Sequence, residues 1–111
     1  MNTVFIDAGR FSSELALEQL QPVPDGIGGF TENWIEVATL WGRIEPVSDA
    51  ARYFGGQPLE EITHRITLRS RDDMTSGMRL RKGTRCFMVL SVHDPDESGR
   101  YCLCRVREEG R

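Results

Sequence analysis

The chain has 111 residues, of which 39% are hydrophobic and 28% charged, and its formal net charge is −3. These values predict one soluble globular domain over residues 1–111, large enough to bury a core without disulfides or metals. No apolar run approaches the ~20 residues of a membrane-spanning helix, and residues 1–10 do not resemble a signal peptide, so we expect no membrane partner.

The first half of the chain is predicted to contain three strands and a glycine-rich turn. Residues 1–10 lack a clear pattern and are interpreted as an N-terminal arm. Alternating residues favour a strand over 13–21, although a helical turn also fits, and "PDGIGG" (24–29) is a tight turn without the sequence of a phosphate loop. Aromatic and β-branched residues predict strands over 33–37 and 40–45, with a kink near Ala38–Thr39.

Residues 47–61 form a long insertion between predicted strands. Ser48 is a candidate N-cap for a short helix from Ala50 to Phe54, which two glycines then end. Long insertions of this kind are often functional loops. The candidate tip residues of the loop are Arg52, Tyr53, Phe54, Gly55 and Gly56.

The second half of the chain shows clearer strand patterns. In "THRITLRS" (63–70), Ile66 and Leu68 alternate with Arg65 and Arg69, as on a strand with one packed face. We expect 78–81 to be short and irregular, 84–92 to be a central strand, and 100–108 to be the last strand. The predicted core anchors are Trp34, Trp41, Ile66, Leu68 and Phe87.

Short turns between these strands imply antiparallel pairing. The predicted fold is mainly β: a small antiparallel β-barrel or sandwich of five to six strands, with one long inserted loop that carries a short helix.

The cysteines and histidines give little support for a metal or cofactor. Cys102 and Cys104 are too close in sequence for an ordinary disulfide, and the number of cysteines is odd. We therefore expect Cys86, Cys102 and Cys104 to be reduced thiols used as small buried side chains. His64 and His93 are isolated and lack the spacing of zinc ligands. We therefore predict no cofactor and no metal site.

Catalysis also has weak support. His93 and Asp94 resemble a dyad, but Pro95 follows them at a turn, and His64 lies on the apolar face of its strand. No nucleophile elbow or triad spacing is present, so we predict that the protein is not an enzyme and has no catalytic residue.

Charge is distributed unevenly along the chain. Residues 63–85 have a net charge of +5, which leaves −8 for the rest. Such a segment can face a polyanion, can complement an acidic face of another subunit, or can simply be solvated. The candidate interface or DNA-channel residues are Arg65, Arg69, Arg71, Arg79, Arg81, Lys82 and Arg85.

A nucleic-acid-binding barrel is a second hypothesis. Arginines on alternate strand residues could contact phosphates, but the open face of 63–70 has no aromatic side chain to stack on bases. The pattern therefore allows phosphate contact without sequence readout.

Several motifs in order resemble the bacteriophage head–tail adaptor family, also called head–tail joining or head-closure proteins. They are a Gly9–Phe11 start, the 25–29 turn, "WIEVATLWGRIEP" (34–46), "THRITLR" (63–69), Gly83–Phe87 and a Val92–Pro95 turn. The chain departs from the family pattern at Ser12–Glu14, where basic residues are usual, and at Gly42, where alanine is common.

The resemblance implies a structural subunit of the virion neck, assembled in the bacterial host cytoplasm. Such proteins form a homo-oligomeric ring, a dodecamer by the resemblance, between the portal or connector and the tail. The ring extends the channel for double-stranded DNA, retains packaged DNA and docks the tail terminator or tail tube. The 47–61 insertion would then reach toward the channel or a neighbouring ring, and phage, prophage and gene-transfer particles all remain open as the source.

Overall fold

The computed structural model describes residues 10–47, 53–54, 57–58 and 62–110, and in these residues it contains ten β-strands and no α-helix. The longer strands are β1 (Ser13–Leu20), β4 (Trp34–Pro46), β7 (His64–Arg69), β8 (Arg79–Lys82), β9 (Arg85–His93) and β10 (Tyr101–Glu109). The short strands are β2 (Val23–Pro24), β3 (Phe30–Thr31), β5 (Tyr53–Phe54) and β6 (Gln57–Pro58). Within this part of the chain, no helix could cross a membrane.

The six longer strands form a closed antiparallel barrel in the order β1-β4-β7-β10-β9-β8. This arrangement confirms the predicted barrel and antiparallel pairing. Strand β8, expected to be irregular, is instead a regular strand that closes the barrel against β1. The closing seam has three residue pairs, in which Ala16, Leu17 and Glu18 lie opposite Arg81, Leu80 and Arg79.

The core consists mainly of alternate residues from the barrel strands, and the connection between β7 and β8 adds Met74 and Met78. Because successive strand side chains point to opposite faces, one residue in two turns inward. Leu15, Leu17, Ile66, Phe87 and Val106 are fully buried. The remaining buried members of the cluster are Leu68, Met74, Met78, Leu80, Val89, Cys102 and Cys104.

The three cysteines are free thiols, and Cys102 and Cys104 are buried in this core. Hydrogen bonding to Cys102 and burial together raise the pKa of the Cys104 thiol far above its usual value. Cys104 is therefore a neutral packing residue, because a thiolate is the reactive form of cysteine.

The predicted kink in the Trp-rich segment is a β-bulge inside one continuous strand. Leu17 lies opposite Ala38 and Glu18 lies opposite Glu36, which leaves Val37 as the extra residue of β4. A bulge bends a strand without ending it, so the prediction of two separate strands was wrong. A second bulge at Leu90 shifts the pairing of β9 with β10.

Gly42 lies where three strands approach closely. It pairs with Ser13 on β1 and with Leu68 on β7. A Cβ atom there would lie 2.6 Å from Leu68 Cδ2, 3.0 Å from the Thr67 carbonyl oxygen and 3.2 Å from Leu15 Cδ1. The glycine at this position therefore has a packing reason.

Strands β2 and β3 form a hairpin that leaves the barrel between β1 and β4. The amide of Gln21 donates to the Asn33 carbonyl (2.7 Å) at its base. At its tip, Asp25 Oδ1 accepts from the amides of Ile27 (2.9 Å) and Gly29 (3.0 Å). Gly26 (φ 84°) and Gly28 (φ 92°) adopt the left-handed conformation that this turn requires. The predicted turn over 24–29 is confirmed.

The predicted helix in the insertion falls mostly outside the described residues. Tyr53–Phe54, expected at its end, instead pair as a strand with Gln57–Pro58. The other tip candidates, Arg52, Gly55 and Gly56, lie outside the described residues, as does the N-terminal arm except Arg10.

Gly42→Ala tests the close approach of β1, β4 and β7. We expect it to lower the free energy of unfolding by about 1–3 kcal/mol, because the added methyl group overpacks the core. Urea denaturation would measure the change. Thr39→Ala, at an exposed position of the same strand, is the control and should cost less than about 1 kcal/mol. An unchanged Gly42→Ala midpoint would contradict this explanation.

Candidate functional site

The structure divides the basic segment into residues with intramolecular acceptors and residues without them. Arg71 donates Nε and one terminal nitrogen to Asp73, both at 2.9 Å. Lys82 Nζ donates to Ser13 Oγ (3.1 Å). Arg79, Arg81 and Arg85 also have carboxylate partners. Five of the seven predicted interface residues therefore have partners within the fold.

Glu18 holds two of these arginines at the closing seam. Arg79 Nε donates to Glu18 Oε1, and Arg81 Nε donates to Glu18 Oε2 (3.0 Å). Trp34 covers the pair from outside, since the Arg79 guanidinium carbon lies 4.3 Å from its ring centroid. Glu18 is only 5% exposed although it points away from the core.

This environment determines the charge of Glu18. Burial raises the pKa of its carboxyl group, but the hydrogen bonds and charges of Arg79 and Arg81 outweigh burial and hold the pKa below its usual value of 4.5. Glu18 is therefore ionised at neutral pH and links β1 to β8.

Glu108 forms a second internal ion pair, with Arg85 (2.8 and 3.1 Å). The Glu108 amide donates to Thr63 Oγ1 (2.7 Å), which in turn shares a hydrogen bond with His64 Nδ1 (2.9 Å). His64 packs edge-on against Phe87 at 5.3 Å between centroids. His64 is thus part of a packed polar cluster.

The possible His93–Asp94 dyad has another geometry in the structure. Asp94 accepts the amides of Asp96 (3.1 Å) and Gly99 (2.6 Å), so its carboxylate organises the loop after β9. Burial and then the charge of Arg105 lower the pKa of His93, which favours a neutral ring. In the described part of the chain, no group of three His, Cys, Asp or Glu side chains could hold a metal ion.

Three exposed arginines form what we call the arginine patch: Arg65, Arg69 and Arg105. Arg65 and Arg105 lie directly opposite each other on β7 and β10, and Arg69 is further along β7. No residue that the structure describes forms an ion pair with any of the three. Glu45 lies opposite Arg65 on the other neighbouring strand, β4, but pairs with Arg43 (3.4 Å). Like charges facing each other across a sheet are unfavourable, so the patch favours a further anionic partner.

Sequence reasoning identified Arg65 and Arg69 but missed Arg105. In "RYCLCRVRE" (100–108), Arg105 alternates with the inward-facing cysteines and was therefore expected on the outer face. The structure places it there, opposite Arg65. The missing information was that the last strand pairs with β7, a contact between residues about forty positions apart.

A second exposed surface is apolar, and it comes from one continuous part of the chain. All the large hydrophobic side chains that are exposed among the described residues lie between residues 20 and 41, and we call them the apolar segment. They are Leu20, Val23, Ile27, Phe30, Ile35, Val37 and Trp41.

Trp41 was wrongly predicted to be a core anchor. It is 55% exposed, because Leu40 and Gly42 occupy the inward positions of β4 on either side of it. Trp34 is only partly buried and lies over Arg79, outside the core. The other three anchors, Ile66, Leu68 and Phe87, are at most 1% exposed.

Comparison with known proteins places this barrel among phage proteins. The model of the phage head completion protein family matches residues 6–109. A chain from the virion of a native gene transfer agent particle is 26% identical, with a TM-score of 0.65, and the match covers 88% of this chain and 93% of that chain.

Protein SF1141 from Shigella flexneri 2a is 24% identical in its solution structure, with a TM-score of 0.74. That match covers 96% of this chain and 99% of the Shigella chain, and at this identity it shows the fold alone. No curated protein matches the chain.

Glu18→Gln tests the ion pair at the closing seam. We expect a loss of about 1.5–3 kcal/mol in unfolding free energy at pH 7, because two arginines lose their charged acceptor. A carboxyl group with a lowered folded-state pKa stabilises the fold above its unfolded pKa and loses this effect as the pH falls through the folded value. The difference between wild type and variant should therefore shrink below about pH 4.5.

Denaturation curves from pH 7 to pH 3 would measure this dependence. Glu14→Gln, at an exposed position of the same strand, is the matched control and should change stability by less than about 0.5 kcal/mol. Equal effects of the two substitutions at pH 7 would refute the role assigned to Glu18.

Proposed function

On the premise that the chain belongs to the phage head completion protein family, we propose that it forms a ring in the neck of the particle, between portal and tail. Family membership and the likeness to a virion chain make it a structural protein of a phage or phage-like particle. The match over residues 6–109 carries the proposal, because it spans the whole barrel.

The two exposed surfaces support a ring. A ring is closed by head-to-tail contacts, so each subunit must present two different surfaces that fit each other. The arginine patch forms no ion pair with a described residue, although Glu45 lies opposite Arg65 on β4, and no described element covers the apolar segment. A subunit with two such surfaces is suited to repeated contacts with copies of itself.

The proposed ring extends the channel through which double-stranded DNA passes. Guanidinium groups bind phosphates without reading sequence, so a patch on the channel wall would suit DNA of any sequence. The portal or connector on one side and the tail terminator or tail tube on the other are the proposed partners. In this role the ring retains packaged DNA and docks the tail.

The proposed role is not enzymatic. The groups around the two candidate catalytic histidines form hydrogen bonds that hold the fold together. His64 shares a hydrogen bond with Thr63, and the Asp94 carboxylate beside His93 accepts hydrogen bonds from loop amides. Function in this proposal depends on surfaces, and no bond is made or broken.

Location in purified particles is the first test. Electron microscopy of particles carrying a tagged chain should place the tag at the neck, in several copies around the particle axis. A particle whose neck lacks the protein would refute the proposal.

The double variant Arg65→Glu/Arg105→Glu tests the arginine patch. We expect at least a tenfold loss of ring assembly or neck incorporation, because the anionic partner now meets two negative charges. The thermal unfolding midpoint should stay near that of wild type, because both side chains are exposed. Native mass spectrometry and particle composition would provide the two assembly measurements.

Arg10→Glu, a charge reversal at an exposed position outside the patch, is the control. Assembly by the double variant at the wild-type level would show that the patch is not a contact between subunits. If instead the isolated wild-type monomer binds duplex DNA with a steep loss at higher salt, and is absent from the neck, the free DNA-binding alternative would replace the ring.

A further inference from the structure

The tip of the β2–β3 hairpin is the most exposed apolar feature of the described chain. Ile27 is 89% exposed and Phe30 is 69% exposed. Leaving two large apolar side chains in water loses several kcal/mol that burial would give, at about 1.5–3 kcal/mol for each. The tip therefore has a strong driving force to enter a partner.

The hairpin is also ordered before any partner binds. Asp25 holds the turn through the amides of Ile27 and Gly29, and its own amide donates to the Gly29 carbonyl (3.0 Å). Thr31 Oγ1 donates to the Val23 carbonyl (3.3 Å) across the two strands. A preorganised hairpin loses little conformational entropy on binding, which favours docking as a rigid unit.

A groove on the barrel wall offers a complementary surface. It has a volume of about 480 Å³ and is lined by Phe11, Thr39–Trp41 and Leu68–Arg71. Pockets that enclose small ligands have similar volumes, about 300–1,000 Å³. Since Trp41 is 55% exposed and the hairpin tip is exposed as well, the hairpin does not fill the groove of its own chain.

The charges of the two surfaces are opposite. Residues 21–33, which form the hairpin, contain two acids and no lysine or arginine. Asp25 and Glu32 lie on the hairpin itself. Of the two arginines that line the groove, Arg71 is paired with Asp73, and Arg69 has no ion pair with a described residue. An acidic hairpin with an apolar tip thus matches a basic groove with an apolar floor.

We propose that the β2–β3 hairpin of one subunit docks into the Phe11–Trp41–Arg69 groove of the next copy of the chain. Ile27 and Phe30 would pack against Phe11 and Trp41, with the acids of the hairpin near Arg69. The contact is head-to-tail and leaves a free hairpin at one end and a free groove at the other, so it can close a ring. This inference rests on the ring proposed above and names the surfaces that build it.

A second copy fits better than DNA as the occupant. DNA presents phosphates to a protein, and the largely apolar lining of the groove offers them only Arg69 as an arginine outside an ion pair with a described residue. The groove could accept an acidic apolar element of another protein, but this chain itself carries both halves of the contact in every subunit. Competition from another partner is therefore an outcome of the test.

Two variants with complementary defects test the contact. The tip variant Ile27→Asp/Phe30→Asp removes the apolar side chains of the hairpin tip. The groove variant Trp41→Glu/Arg69→Glu removes the aromatic ring and the positive charge of the groove. All four side chains are exposed, so both variants should fold as wild type does. Each alone should lose at least tenfold in self-association, measured by native mass spectrometry and sedimentation across a concentration series.

The mixture of the two variants gives the sharpest result. The tip variant retains a groove and the groove variant retains a hairpin, so a 1:1 mixture should form a heterodimer that grows no further. Ser76→Asp, which adds a charge at an exposed position outside the apolar segment and the groove, is the control and should assemble as wild type does.

Three results would overturn the inference. They are wild-type assembly by the tip variant, equal loss in the Ser76→Asp control, and a mixture that forms no heterodimer. The first would leave the ring proposal standing, because rings would form through other surfaces. A wild-type chain that stays monomeric at high concentration and is absent from particle necks would overturn both proposals.

Discussion

The barrel depends on its shortest seam. Strands β1 and β8 meet over three residue pairs, and Glu18 binds Arg79 and Arg81 across that seam. A one-residue slip of β8 would turn its core residue Leu80 outward and move Arg79 away from Glu18, so the ion pair also favours the native register. Without the seam, β1 and β8 would each present an unpaired edge, which can recruit other chains at random.

The same seam determines which charges remain available at the surface. Arginines 79, 81 and 85 neutralise buried carboxylates, and Arg71 is neutralised by a neighbour in its own loop. The large positive charge of the 63–85 segment therefore shrinks to a small patch, extended by Arg105 from another strand. The total charge of a segment describes its surface poorly when its arginines pair with acids elsewhere in the fold.

Local patterns predicted the strands well, and contacts between distant residues set the limit. Alternation in the segments that became β7 and β10 correctly placed Ile66, Leu68, Cys102 and Cys104 inside. The exposure of Trp41 was not predicted, because aromatic residues are usually buried. Its place in the strand, between the inward-facing Leu40 and Gly42, puts it on the outer face. The partners of Arg79 and Arg81 lie about sixty residues away, and no local pattern indicates which strand will close a barrel.

The close approach at Gly42 implies a constraint on sequence divergence. Since a methyl group at this position would meet Leu68 Cδ2 and the Thr67 carbonyl, residues 42 and 68 share one small volume. Family members with alanine at position 42 should therefore carry a smaller or differently branched side chain at position 68. Such paired substitutions on β4 and β7 would be a record, in aligned sequences, of how tightly this barrel is packed.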